Sequence, residues 1–181
     1  MGYWGYFVVG RAERPLAELD ALAGAAGMNL RVSAPDGWQM WEYPGGEGDV
    51  GNMNDLAAQT GAPALFGYVM DSDCVAVEAA APGSGAWTTC LARAAMAGYL
   101  GAENEGLTLE DYFLEPRDAA ERAVAWAAEA GRTADAGELT EVLAAEPGDD
   151  AASGPGSASG VAPTAEDLFF RFLDRLGVLP L

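Results

Sequence analysis

Residues 3 to 10, Tyr-Trp-Gly-Tyr-Phe-Val-Val-Gly, are aromatic and β-branched with apolar groups at both odd and even positions. That is the pattern of a central strand covered on both faces. Pro15 stands at a natural first helical position, Leu16, Leu19, Leu22 and Ala23 recur at helical spacing, and Gly27 supplies a stop, which predicts an amphipathic helix. Leu30 to Ser33 and Trp38 to Tyr43 flank the turn sequence Ala34-Pro35-Asp36-Gly37 and read as a hairpin. Alternation sends Trp38 and Met40 to one face and Trp41 and Tyr43 to the other. After a Pro/Gly loop at 44 to 49, Asn52 or Asn54 caps a short helix that runs to about Thr60 and is closed by Gly61 and Pro63. Residues 64 to 70 and 74 to 79 form a second hairpin across Asp71-Ser72-Asp73. The order is β-α-β-β-α-β-β, which predicts an α+β fold with a mostly antiparallel sheet. It is the order of a ferredoxin-like or related two-layer sandwich carrying one extra strand.

Beyond Ala80-Ala81-Pro82-Gly83-Ser84-Gly85 the pattern turns helical, with segments expected at 87 to 100, 108 to 114, 116 to 130 and 138 to 145. Thr108 with Asp111 approaches a capping box, and Pro116 and Gly131 bracket the third segment. Helices at 87 to 145 are available to cover the second face of the sheet. Residues 147 to 163 are a Pro/Gly/Ser/Ala stretch without periodicity, the composition of a flexible tether. Thr164 and Asp167 then open a last helix whose stripe is Leu168, Phe169, Phe172, Leu173 and Leu176, ended by Gly177. The expected organisation is an acidic α+β domain over 1 to 146 with a helical second half, a linker over 147 to 163, and an amphipathic docking helix over 164 to 181. An isolated helix of that length is marginal in water. It must therefore dock, on its own domain, on a second copy as a homodimer, or in the groove of another protein.

Composition narrows the chemistry. The chain has no histidine, and all nine cations are arginines. Histidine-based zinc sites, Ser-His-Asp and Cys-His nucleophiles, P-loop lysines and Schiff-base lysines are therefore excluded. Carboxylates, Tyr, Arg, Ser/Thr and Cys remain as catalytic vocabulary. No catalytic motif, metal site or cofactor is implied. The net charge of −19 disfavours nucleic acid and anionic membrane and favours a basic protein partner. No apolar run reaches the length of a membrane span, and the N-terminal apolar stretch lacks a basic leader, so a cytoplasmic protein is expected. Two isolated cysteines, Cys74 in a predicted strand and Cys90 in a predicted helix, are expected to be reduced and buried.

Three local clusters carry candidate chemistry. The Pro82-Gly83-Ser84-Gly85 loop, read as running from a strand into a helix, has the form of an anion-binding turn but lacks the P-loop and dinucleotide spacings. Glu47, Asp49, Asn52, Asn54 and Asp55 crowd five oxygen-bearing side chains together without the EF-hand pattern, and Asp71 with Asp73 forms a smaller pair. Turn and cap chemistry accounts for both. The aromatics Tyr3, Trp4, Tyr6, Phe7, Trp38, Trp41 and Tyr43 gather in two predicted strands, and any of them left uncovered would make a contact surface. The expected role is a non-catalytic interaction module, an acidic inhibitor, immunity-type or adaptor protein binding a basic partner. Its expected contacts are Glu110, Asp111 and Glu115, the aromatics Trp38 and Trp41, and the Leu168, Phe169, Phe172, Leu173 and Leu176 stripe. Two alternatives stand beside it. One is a small-molecule-binding protein or carboxylate-dependent enzyme with Trp38 and Trp41 lining a pocket. The other is an assembly subunit docked by its last helix.

Overall fold

The computed structural model describes residues 2–25, 27–45, 50–103, 108–146 and 164–179. Six strands, β1 (Gly5–Arg11), β2 (Asn29–Ser33), β3 (Trp38–Pro44), β4 (Ala64–Met70), β5 (Cys74–Ala81) and β6 (Gly85–Leu91), form one sheet in the order β2-β3-β1-β4-β5-β6. Every ladder is antiparallel. The fold is α+β, as the element order predicts. Within the first four strands β1 lies between β3 and β4, so each crossover connection passes over one intervening strand. That is the split β-α-β arrangement of ferredoxin-like folds. Two further strands, one more than expected, extend the sheet beyond β4.

The first crossover corrects the expected helix over residues 15 to 27. It consists of two 3₁₀ turns, Leu16–Glu18 and Asp20–Leu22, separated by an extended Leu19. Leu16, Leu19 and Leu22 recur every third residue, the 3₁₀ period rather than 3.6. Their backbones are tied by i to i+3 bonds, Leu19 N to Leu16 O, Leu22 N to Leu19 O and Ala25 N to Leu22 O, at 3.0 Å each. The three leucines are buried with Val8, Met53, Leu56, Ala64 and Ala80. The second crossover carries α1 (Met53–Thr60), capped by the Asn52 side chain and closed by Gly61 in the left-handed region, as the sequence predicts. Both crossovers pack on the same face.

A second correction concerns residues 87 to 100. Trp87 to Leu91 belong to β6, and α2 (Arg93–Glu103) starts only after Ala92, whose φ of 58° breaks the strand. Thr88 and Thr89 are β-branched and pair with Glu78 and Val77, and strand pairing outweighs the small, helix-prone residues that follow. Cys90 is thus a strand residue, not a helical one. Pro82 to Gly85 form a hairpin turn, not a strand-to-helix loop. The helix expected at 108 to 114 is a single 3₁₀ turn, Leu109–Asp111.

The opposite face is roofed by α3 (Pro116–Glu129), α4 (Ala136–Ala144) and α5 (Ala165–Leu176), which cover Phe7, Val9, Trp38, Met40, Leu65, Val69, Val75 and Val77. Trp126 of α3 is fully buried. Its ring centroid lies 5.7 Å from that of Trp38, and its Nε1 donates to the Ala64 carbonyl at 3.1 Å. The expected linker, 147 to 163, lies outside the described residues.

Candidate functional site

Among the described residues, the helices leave part of one sheet face uncovered. Alternation places Tyr6 of β1, Tyr43 of β3, and Phe66 and Tyr68 of β4 on the face that carries α1. Tyr6 is paired in register with both Tyr43 and Tyr68. At one end of this face Val8, Ala64 and Ala80 are buried under α1, because two alanines let the helix come close. At the other end the rings take over. Tyr6 stacks on Tyr68 with centroids 4.3 Å apart, meets Phe66 edge-on at 5.3 Å and lies 6.3 Å from Tyr43, while Trp4 reaches Tyr68 at 6.3 Å. Tyr6, Tyr43, Phe66 and Tyr68 are half-buried, and Trp4 keeps 40 % of its surface in solvent. Glu78 sits directly across from Phe66 in the ladder and accepts a bond from Met53 N at 2.9 Å. A rigid aromatic floor bordered by a carboxylate is suited to binding cationic and apolar side chains, through ring stacking, cation–π attraction and ion pairing.

The sequence-predicted aromatics divide. Trp38 is buried in the core and Phe7 lies under α5, whereas Trp41 is half-buried on the face opposite Trp38, as alternation requires. Tyr3 donates to Glu42 at 2.5 Å, and burial together with that carboxylate holds its phenol well above the usual range. Phe66 and Tyr68, central to the floor, are missed by a search for aromatics confined to the first two aromatic strands. Their alternation within 64 to 70 is the signal that would have found them.

The C-terminal stripe is placed in cis. Leu168, Phe169, Phe172, Leu173 and Leu176 are all buried in the main core, and the ends of α5 are tied down. At its start Ser72 accepts from Tyr3 N at 2.7 Å and donates to Glu166 at 2.9 Å, while Ala165 N donates to Ser72 O at 3.1 Å. At its end Arg132 donates to Gly177 O at 2.9 Å and pairs with Asp36. In this structure the stripe packs on its own domain. The acidic candidates Glu110, Asp111 and Glu115 are all exposed, and Asp111 also accepts from Thr108 N at 2.7 Å and caps the turn.

The remaining clusters resolve into local chemistry. The 82 to 85 turn does hold an anion, and it is the chain's own. Glu129 accepts from Gly83 N at 2.6 Å, Ser84 N at 2.7 Å and Ser84 Oγ at 2.5 Å. The Ser84 hydroxyl bond, aided by the two N–H groups, lowers its pKa despite partial desolvation. Asp71 and Ser72 have φ of 51° and 57°, as a tight hairpin turn requires, and Asp73 accepts from Tyr99 at 3.1 Å. Glu47 and Asp49 lie outside the described residues. Among those described, no group of three or more His, Cys, Asp or Glu could hold a metal ion, and no helix is long and apolar enough to cross a membrane. Cys74 and Cys90 are free and fully buried. Burial pushes their thiols up to about 12 and about 11, the latter against a lowering influence from Arg93. Thiols held in that state are poor nucleophiles. No protein family model matches the chain, and no match is found among curated proteins or solved structures.

Proposed function

We propose that the chain is a non-catalytic protein-interaction module that binds a basic partner, in the manner of an inhibitor, immunity-type or adaptor protein. The observation that carries this reading is the half-exposed floor of Trp4, Tyr6, Tyr43, Phe66 and Tyr68 beside Glu78. Rigid aromatic clusters of this kind supply binding energy at little entropic cost and are enriched at interface centres. A net charge of −19 steers a basic protein toward the surface and repels acidic competitors. The absence of His and Lys from the sequence also removes most nucleophilic and acid–base mechanisms.

The test is affinity capture from the source cell's lysate at low and high salt, with the wild type and a Trp4→Ala/Tyr68→Ala variant shown by circular dichroism to be folded. The expected result is one basic protein retained by the wild type at low salt and lost from the variant. With that protein purified, its association rate should fall steeply with salt. If no protein is retained, or if the variant retains it equally, the reading fails.

A further inference from the structure

We propose a second binding site, for a small monocarboxylate with an apolar body, in the cleft between the segment that follows β1 and the β2–β3 hairpin. The cleft has a volume of about 500 Å³ and is lined by Glu13, Arg14, Leu30, Gln39 and Trp41 among others. That lies in the range of small-molecule sites. Its apolar base is a cross-strand pair, Leu30 of β2 opposite Trp41 of β3. Leu30 is 50 % exposed, the most exposed large apolar side chain among the described residues, and Trp41 is half-buried. An apolar group lying over this pair would remove both from water.

The wall is built in advance. Gln39 is 8 % exposed and uses its amide in full. Its Nε2 donates to Ala12 O at 3.2 Å and Arg14 O at 3.0 Å, and its Oε1 accepts from Leu16 N at 2.9 Å and Trp41 Nε1 at 2.8 Å. One buried side chain therefore fixes both the indole of the floor and the backbone that carries Arg14. Holding both walls before a ligand arrives lowers the ordering cost of binding.

Charge selects the ligand class. Asp36 at the cleft is neutralised by Arg132. Arg14 makes no ion pair with any described residue and lines the cleft beside the apolar pair, so its guanidinium is available for a carboxylate. Glu13 on the same wall repels a second negative charge. The site therefore favours one carboxylate on an apolar body over a dicarboxylate or a phosphate. It lies on the same sheet face as the Tyr6–Tyr68 stack but shares none of its residues, so the two sites can fail independently.

The probes are 4-phenylbutyrate and its uncharged amide, titrated into the full chain while the tryptophan indole N–H signals are followed by ¹⁵N NMR. The expected result is a saturable shift of the signal that is missing in Trp41→Phe. The acid should bind about tenfold more tightly than the amide, the factor expected of one charge-assisted contact. That ratio should fall to about one in Arg14→Gln, whose altered side chain is exposed and leaves the fold intact, while Tyr68→Ala leaves the titration unchanged. The proposal is overturned by no saturable shift, by equal binding of acid and amide to the wild type, or by an Arg14→Gln variant that still prefers the acid.

Discussion

The ring of Phe169 rests on the backbone of Gly67: a Cβ at position 67 would stand 2.5 Å from Phe169 Cε1 and 2.7 Å from Cζ. Glycine at the centre of β4, where a side chain would ordinarily strengthen a strand, thus forms the socket that admits α5 to the sheet. Phe169 in turn stacks on Phe7 of β1 with centroids 6.1 Å apart. The last element of the chain completes the core of the first.

Gly67→Ala tests this socket. The added methyl has no room unless Phe169 moves, and Phe169 is fully buried, so overpacking should cost about 1 to 3 kcal/mol. A Gly67→Ala/Phe169→Leu double variant should recover part of the loss, since the methyl then fills space that the ring vacates. Urea unfolding of the wild type, both single variants and the double variant measures the coupling. Strictly additive losses would mean that the two positions do not compete for the same space.

Most of the framework was legible because it depends on local signals. The two hairpins, the Asn52 and Thr164 caps and the opposed faces of Trp38 and Trp41 follow from turn residues, capping residues and alternation. The errors arose where tertiary pairing decided. Leu16, Leu19 and Leu22 pass for one face of an α-helix, but Leu19 is extended at ψ 144° and divides the segment into two 3₁₀ turns. Trp87 to Leu91 pass for the start of a small-residue helix until β5 offers them a ladder. The floor was only half visible for a related reason. Tyr6 and Tyr43 are conspicuous in sequence, but what gathers them with Phe66 and Tyr68 is the insertion of β1 between β3 and β4, a non-local fact. The same holds for Arg14 and Trp41, which are distant in sequence and meet through Gln39.

Glu129 gives the fold an acid-sensitive clamp. Its pKa is lowered, first by the Ser84 hydroxyl and then by the Gly83 and Ser84 N–H groups. Its stabilising effect is therefore present above the unfolded carboxylate's pKa and is lost as pH falls through the folded value. Glu129→Gln should be less stable than wild type at pH 7, by no more than about 1 kcal/mol because the carboxylate is largely solvated. The difference should narrow as the pH is lowered from 7 through the folded value, below which both side chains are neutral. Thermal unfolding of the two proteins across that range measures it, and a constant gap would show that shape rather than charge closes the 82 to 85 turn.

The two thiols impose the opposite limit, at alkaline pH. Burial raises Cys74 to about 12 and Cys90 to about 11, from 9.0 for each when unfolded. Each is an acid that the folded state keeps protonated, so its contribution is complete below about pH 9 and declines as pH rises toward the folded values. Between pH 9 and 10 the unfolded chain releases protons that the folded chain retains, and stability should fall by up to about 1.4 kcal/mol per pH unit for each thiol. Cys74→Ala should remove roughly half of that slope, and Cys74→Ala/Cys90→Ala nearly all of it. Urea midpoints at closely spaced pH values from 8 to 10 give the slope directly. A wild type whose midpoint stays flat over that range would mean that both thiols ionise within the folded protein, and that the interior between β5 and β6 is open to water.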